Sequence, residues 1–424
     1  MAIPIKRRTL LVGGVAGAAA LAVGLKPGDK GENHSPYFSD ISTALDNANI
    51  ATPVLIVDKA KLLENVKTLK SHIDGRFKYR IVAKSLPSLG LIEQVMEAAN
   101  THRLMLFHQP FLSQVAAQLP HSDVLMGKPM PVKAAETFYL TFDSTEFDHQ
   151  QQLQWLLDTP ARLQQYVTLA NQLNVNMRIN IELDVGLHRG GIQDSDELIA
   201  MLEIIQAEPR LSFAGFMGYE PHIVKVPGNP LDYRNRAMES YKKHIVTAKQ
   251  FLQDDWPEDV LLNACGSPTY QLYDEGDYPF NEISAGSCLV KPTDFDIPTL
   301  ADHLPASYIA TPVLKTSDRK QIPVDGVGKL LAAWDPNFAR AFFTYGGYWK
   351  AIPESPKGLF NNPLMGRSTN QEMLNGSTSI DLQVDDWIFL RPTQSEFVFL
   401  QFGDIAVLEN NEITERWSVL AAEA

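Results

Sequence analysis

Lys84 ends an apolar run, Tyr79-Arg80-Ile81-Val82-Ala83-Lys84, and Ser85-Leu86-Pro87 follows it. A strand that stops on a lysine just before a proline-marked turn delivers the amine to an open strand end. Taken out of bulk water there, a lysine amine is a Schiff-base nucleophile. The plainer alternative is a surface lysine at a strand end. Three other segments carry chemistry at comparable places. Asp184-Val185-Gly186-Leu187-His188-Arg189-Gly190-Gly191 sets a cation on a glycine-flexed loop. Arg189 there can hold an anionic oxygen by charge-assisted hydrogen bonds, or pair with Asp184 and fix the loop. Gly218-Tyr219-Glu220-Pro221-His222 joins an aromatic ring, a carboxylate and an imidazole, types that stack on a ring or carry protons. Asn263-Ala264-Cys265-Gly266-Ser267-Pro268-Thr269-Tyr270 groups glycine with hydroxyls, a combination that cradles a phosphate and also builds ordinary turns. Ser284-Ala285-Gly286-Ser287 is a second turn of that kind.

Those segments need strands to carry them. Strand-like runs at 77–84, 104–108, 124–126, 139–142, 177–183, 213–218, 260–264 and 283–290 alternate with helical periodicity, clearest at 163–173, 198–205 and 241–252. Alternating strands and helices imply a parallel sheet. About eight strands over roughly 240 residues fit a (β/α)8 TIM-type barrel, with an open doubly wound sheet as the alternative. In a barrel, function sits where strands end, which is where Lys84, Arg189, Tyr219 and Gly266 fall. Beyond about residue 295 prolines cluster and strand-like runs at 308–314, 387–390, 397–402 and 405–408 point to a smaller, mainly β domain. The expected organisation is residues 1–25 as a leader, 26–50 as a linker, 51–298 as the barrel and 299–424 as the β domain.

Length and composition bound the partners. The chain has 424 residues and a net charge of −13, so nucleic acid is excluded as a general partner and any anion site must be local. Cys265 and Cys288, without a CxxC pattern, read as buried free thiols, with a single bridge as the other outcome. Lys6, Arg7 and Arg8 precede an apolar run from Leu10 to Leu25. Paired arginines before such a run read as a twin-arginine export signal and a periplasmic destination, with an uncleaved membrane anchor as the alternative.

A lysine, a cation, a polar aromatic cluster and a phosphate cradle at four strand ends make the set that pyridoxal 5′-phosphate (PLP) requires. At these residues the chain resembles the D-threonine aldolase and D-serine dehydratase group of the fold type III, alanine racemase-like PLP enzymes, from about Thr52 onward. Thr52-Pro53-Val54-Leu55-Ile56-Val57-Asp58 is similar to the family's opening strand, and Arg80 to Lys84 to its lysine motif, without the usual Pro-His between Arg and Ala. Asp184 to Gly191 resembles its Asp-x-Gly-x-x-Arg-x-Gly loop, Gly218 to His222 its Gly-Tyr-Glu-Gly-His segment, and Gly266 to Thr269 its phosphate turn. The resemblance implies Lys84 as the lysine that holds PLP, Arg189 as a cofactor contact and Gly266, Ser267 and Thr269 as phosphate ligands. Tyr219 and His222 would be ring-side neighbours. It also implies a homodimer.

The family's C-terminal metal pair, His-x-Cys or His-x-Asp, is replaced here by Gln394 and Glu396 in Pro392-Thr393-Gln394-Ser395-Glu396. No tight zinc site is expected from a glutamine and one carboxylate, and a divalent metal is in doubt. Ser368 to Glu372 is the polar neighbour of that segment in the expected site. The activity implied is a lyase or aldolase acting on a small D-amino acid of the D-threonine or D-serine type. Two alternatives stand beside it. One is an amino-acid racemase, with Tyr345 or Tyr348 as its second base. The other is a non-catalytic PLP-holding protein that lost the metal site.

Overall fold

The strand-like runs of the first two thirds of the chain carry mostly inward-facing apolar residues, and they can satisfy their backbones only by pairing with one another. The computed structural model, which describes residues 26–318, 333–363 and 365–421, shows how they do it. After β1 (Val54–Asp58) come β2 (Lys78–Val82), β3 (Arg103–Leu106), β4 (Asp123–Met126), β5 (Leu153–Leu157), β6 (Met177–Leu183), β7 (Leu211–Gly218), β8 (Leu261–Ala264) and β9 (Glu282–Ala285). Strands β2 to β9 close into a parallel barrel in sequence order. The seam is a parallel ladder between β2 and β9, with Lys78 opposite Glu282 and Ile81 opposite Ala285. The expected (β/α)8 barrel is therefore the fold.

The barrel interior has an apolar layer of Met105, Leu125, Leu156, Met217 and Leu261, against which Val82, Phe107 and Tyr219 pack. It also holds a buried charge cluster. The fully buried Arg80 guanidinium donates to both oxygens of Glu282, to the carbonyls of Leu104 and Asp123, and to the Asp123 carboxylate at 2.7 Å. Glu282 accepts in addition from Arg103 at 3.1 Å and from Asn263 at 2.8 Å. Five strands thus meet at one buried ion cluster.

Two compact units divide the chain. Of the described residues, one unit contains Leu55–Ser307, Pro392–Glu409 and those from Thr414 onward; the other contains those before Leu55, those between Tyr308 and Arg391, and Asn410–Ile413. The boundary expected near residue 298 is thus crossed twice by the returning chain. Within the barrel unit, β1 is not a barrel strand: Leu55 to Asp58 pair in parallel with Ile405 to Leu408. The second unit is mainly antiparallel β. There β10 (Ser307–Ser317) pairs with β11 (Arg340–Thr344), and β12 (Ala351–Ser355) and β13 (Phe360–Asn361) precede β14 (Met373–Gly376) and β15 (Trp387–Pro392). β11 and β13 flank β14, and β15 pairs with β10 and β12. β16 (Asp404–Glu409) and β17 (Glu412–Ser418) complete the strands.

Local expectations fail in four places. The run 139–142 ends the helix Val132–Thr141; Phe138 and Phe142 pack one helical turn apart with ring centroids 5.0 Å from each other. The barrel strand is instead β5, whose five residues are all buried. The run 283–290 stops at Ala285, because Gly286 turns the chain into the short helix Ser287–Val290. Residues 397–402 form two short helices, Glu396–Phe399 and Leu400–Phe402, not a strand. The supposed linker holds the helix Pro36–Asn47, which buries Phe38, Ile41 and Leu45 and accepts a 2.8 Å bond from the Trp387 indole at Asp46.

The leader residues 1–25 lie outside the described residues. Among those described, no helix is long and apolar enough to cross a membrane. Cys265 and Cys288 are free and buried. Replacing Arg80 by Met should lower the unfolding free energy by about 3–5 kcal/mol in a urea titration, since Glu282 would remain buried without its principal cation. Removing Glu282 as well, by Arg80→Met with Glu282→Leu, should restore part of that loss; a single-variant loss below about 1 kcal/mol would show that the cluster is dispensable.

Candidate active site

Each barrel strand ends in a segment that the ring gathers to one mouth, and a cavity of about 520 Å³ opens there. Its walls include Lys84, Arg189, Tyr219, Gly266, Ser267 and Glu396. Strand β2 stops at Val82, and Lys84 sits in the one-turn 3-10 segment Ala83–Ser85 that follows. Its Nζ lies 2.9 Å from Glu396 Oε1 and 4.5 Å from the centre of the Phe107 ring. The side chain is 37% exposed. The lysine is therefore half-buried and ion-paired, where a desolvated amine was expected. Phe107 fits there because residue 127 is glycine: a Cβ at Gly127 would lie 2.4 Å from Phe107 Cζ.

Across the cavity the Gly266 turn is braced from behind. Cys265 adopts a left-handed backbone, φ +68°, and its N–H donates to Glu220 at 3.3 Å. The Gly266 N–H donates to Thr269 Oγ1 at 3.2 Å, and the Thr269 hydroxyl donates to Glu220 Oε1 at 2.9 Å. Thr269 is fully buried, is not part of the cavity wall and supports the turn through its hydroxyl. Ser267 does line the cavity. Its Oγ accepts the N–H groups of Gly286 and Cys288, each at 3.1 Å, and so ties the two glycine turns together. With both lone pairs engaged, that hydroxyl acts as a donor. The second turn adds Gly286 and Ser287 to the wall, with Ser287 Oγ held 2.9 Å from Ser85 Oγ.

The Arg189 guanidinium lies 5.3 Å from the centre of the Tyr219 ring. Its loop is organised by Asp184, which accepts the N–H groups of Gly186 and His188 at 2.9 Å, His188 Nδ1 at 2.8 Å and the Gln193 amide at 3.1 Å. The Asp–Arg pair considered from sequence is replaced by an Asp–His pair. Glu182, buried on the cavity wall, has its carboxyl raised by burial, with Arg189 opposing that shift. Burial pushes the Tyr219 phenol up to about 12, which keeps it a donor at neutral pH. His222 stands outside the wall: it packs against Gly186 and the Tyr233 ring, and burial lowers its pKa.

Gln394 is exposed and Glu396 faces Lys84, while among the described residues no three His, Cys, Asp or Glu side chains group as metal ligands. Glu372 of the 368–372 segment is engaged within the β unit by Arg367 and by the Tyr348 N–H at 2.8 Å. Tyr345 and Tyr348 are exposed on that unit.

The donor set suits PLP. It presents a lysine amine, a donor-only serine, two glycine turns and an arginine beside an aromatic ring. A Cβ at Gly266 would come within 2.5 Å of Tyr219 Cε2, and one at Gly286 within 2.6 Å of the Val82 carbonyl oxygen, so both turns require glycine to keep their shape.

Glu220, the carboxylate of the Tyr219–His222 cluster, does not line the cavity, and its role behind the Gly266 turn is not legible from sequence because its partners lie more than 40 residues away. It is fully buried, accepts from Cys265, Thr269 and Tyr273, and burial pushes its carboxyl up to about 7 against those hydrogen bonds. An exposed glutamate titrates near 4.5. Between those values the folded state binds the extra proton, so the contribution of Glu220 to stability falls as pH rises through the window. Relative to Glu220→Gln, the wild type should lose on the order of 3 kcal/mol of unfolding free energy between pH 4.5 and 7. Urea titrations of the two proteins across that range check this; a constant difference refutes it.

The alanine racemase N-terminal domain model matches residues 57–294. No curated protein sequence matches the chain. Among solved structures, D-threonine aldolase from Filomicrobium marinum superposes with a TM-score of 0.69 at 14% identity, covering 88% of this chain and 98% of that one. D-threo-3-hydroxyaspartate dehydratase from Delftia sp. HT23 gives 0.66 at 14%, covering 88% and 98%. Alanine racemase from Bacillus anthracis gives 0.66 at 12%, covering 87% and 98%. With more than half its length matched by that model and with the same closed barrel, the chain belongs to the alanine racemase N-terminal domain family.

Proposed function

We propose that this protein is a PLP-dependent lyase or aldolase acting on a small D-β-hydroxy amino acid of the D-serine or D-threonine type. The observation that carries the reading is one cavity with the Lys84 amine on one wall and the Gly266–Ser267 and Gly286–Ser287 turns on another. The family is PLP-dependent, and a D-threonine aldolase and a D-threo-3-hydroxyaspartate dehydratase are among the structures that share the fold.

Bound PLP supplies an electron sink for the bond that breaks at the substrate's α-carbon. This chain's residues do the rest. Lys84 would hold the cofactor, and its amine on the cavity wall is a base that would serve the α-proton. Ser267, Ser287 and the glycine turns offer donors to a phosphate without adding charge. Arg189 offers a fixed cation to an anionic oxygen, and its stacking on Tyr219 limits where that cation can go. Phe107 and Met217 exclude water from one side of the cavity. The reading includes a homodimer, and export of the folded, loaded protein through the twin-arginine route, for which Arg7, Arg8 and the apolar run after them speak.

The purified protein should show a visible absorbance band that survives dialysis and disappears in Lys84→Ala. It should release ammonia from D-serine or aldehyde from D-threonine, with turnover in Lys84→Ala reduced at least about a thousandfold. A band without either product overturns the lyase reading; single enantiomers that become racemic mixtures establish a racemase in its place.

A further inference from the structure

The contact between Lys84 and Glu396 calls for its own explanation. The two side chains are 37% and 43% exposed, and a half-exposed ion pair adds little to stability. Yet its carboxylate is firmly delivered. Glu396 opens the short helix Glu396–Phe399, where Val398 and Phe399 are buried. The segment before it is tied to the barrel unit by the Asp294 N–H donating to the Thr393 carbonyl at 3.1 Å. The segment after it is β16, paired with β1. Around the amine, the Phe107 ring offers no proton acceptor, and Glu396 is the one carboxylate within ion-pair distance of Lys84 among the described residues.

We propose that Glu396 is the acid–base partner of Lys84 and handles the proton of the substrate's β-oxygen. The inference rests on the reading of Lys84 given above. An ammonium can neither attack a carbonyl nor accept a proton, so Lys84 must first lose one, and the acceptor at 2.9 Å is Glu396. The pair then stands as a neutral amine beside a neutral carboxylic acid. In water loss, the amine takes the α-proton and the electrons of that C–H bond form the new C=C bond. The β-C–O bond breaks with its pair on oxygen, and Glu396 gives that oxygen its proton, so water departs. Lys84 is again an ammonium and Glu396 a carboxylate, which is the pair the structure holds. In aldol cleavage the same two groups work in the opposite sense: the carboxylate removes the β-hydroxyl proton, the O–H electrons form a C=O bond as the Cα–Cβ bond breaks with its pair on the α-carbon, and the ammonium gives that carbon a proton. In both directions the α- and β-positions are served by two groups already in contact.

Three measurements test this. In cofactor-free protein, reductive methylation of Lys84 followed by peptide mass spectrometry should run about two- to fivefold faster in Glu396→Gln, because the carboxylate that engages the amine at 2.9 Å is gone. A Glu396 that does not engage the amine would leave that rate unmoved, and an unchanged rate overturns the proposal. With substrate, Glu396→Gln should lose about a hundredfold or more in kcat with KM within a few-fold, and Glu396→Asp should recover part of it. Losses confined to KM overturn the proposal. Binding of Mn²⁺ or Zn²⁺ by the wild type that Glu396→Gln abolishes overturns it too, since the carboxylate would then be a metal ligand. If the wild type turns over no β-hydroxy amino acid while methylation is still faster in Glu396→Gln, the reading of the substrate fails and the pairing stands.

Discussion

A buried guanidinium must find acceptors, and in this chain that requirement organises the barrel. Arg80 lies on the first barrel strand and is fully removed from solvent. Its donors are satisfied only if β9 brings Glu282 and β4 brings Asp123. Asn263 on β8 and Arg103 on β3 then complete the ring around the same carboxylate. An unpaired charge at this depth is far more costly than a misplaced apolar contact, so the cluster discriminates against a slipped seam between β2 and β9 more sharply than the apolar layer can. The register it selects places Lys84, four residues beyond Arg80, at the mouth of the ring with the Gly286 turn beside it.

At the mouth the logic is the reverse. The groups that shape the cradle are tied to one another, so that what the two glycine turns present to the cavity is neutral or donating. Thr269 and Cys265 bond to Glu220, and Ser267 bonds to the amides of the neighbouring turn. A carboxylate behind a site for an anion would repel it. Burial answers that conflict by pushing Glu220 toward its neutral form, while its three donors keep it ordered. A turn held in this manner needs no induced reorganisation when a ligand arrives, which is the condition for tight binding of a small cofactor.

The features legible in the sequence were those whose cause is local. An apolar run ending on lysine, a glycine-bracketed arginine and a Gly-Ser turn each announce a strand end, and the ring gathers all three. What escaped was set by distant partners. Thr269 looks like a phosphate ligand until Glu220, 49 residues earlier, engages its hydroxyl. Tyr139 to Phe142 has strand-like composition, yet its aromatics complete the face of a helix already begun by Ala135 and Phe138. Leu153 to Leu157 lacks alternation because a parallel barrel strand is covered on both faces, and so reads as a featureless apolar run. The segment 26–50 has the composition of a linker but carries a helix whose contacts lie more than 300 residues away.

The same distinction explains why Glu396 was first considered as the remnant of a metal pair. Its place in a local motif suggested a ligand missing its partner. The fold gives the position a different neighbour, because the chain leaves the β unit at Arg391, enters the barrel unit at Pro392 and presents its first acidic side chain to Lys84. A divalent ion and a carboxylic acid answer the same need at a β-oxygen, which is to stabilise negative charge as a bond to oxygen breaks or forms. The ion does so by its charge, the acid by its proton, and only the acid can be recharged by the lysine next to it. On the proposed reading, a barrel that brings the two side chains into contact would supply the two-point control of substrate that this chemistry requires, from residues that lie far apart in the chain.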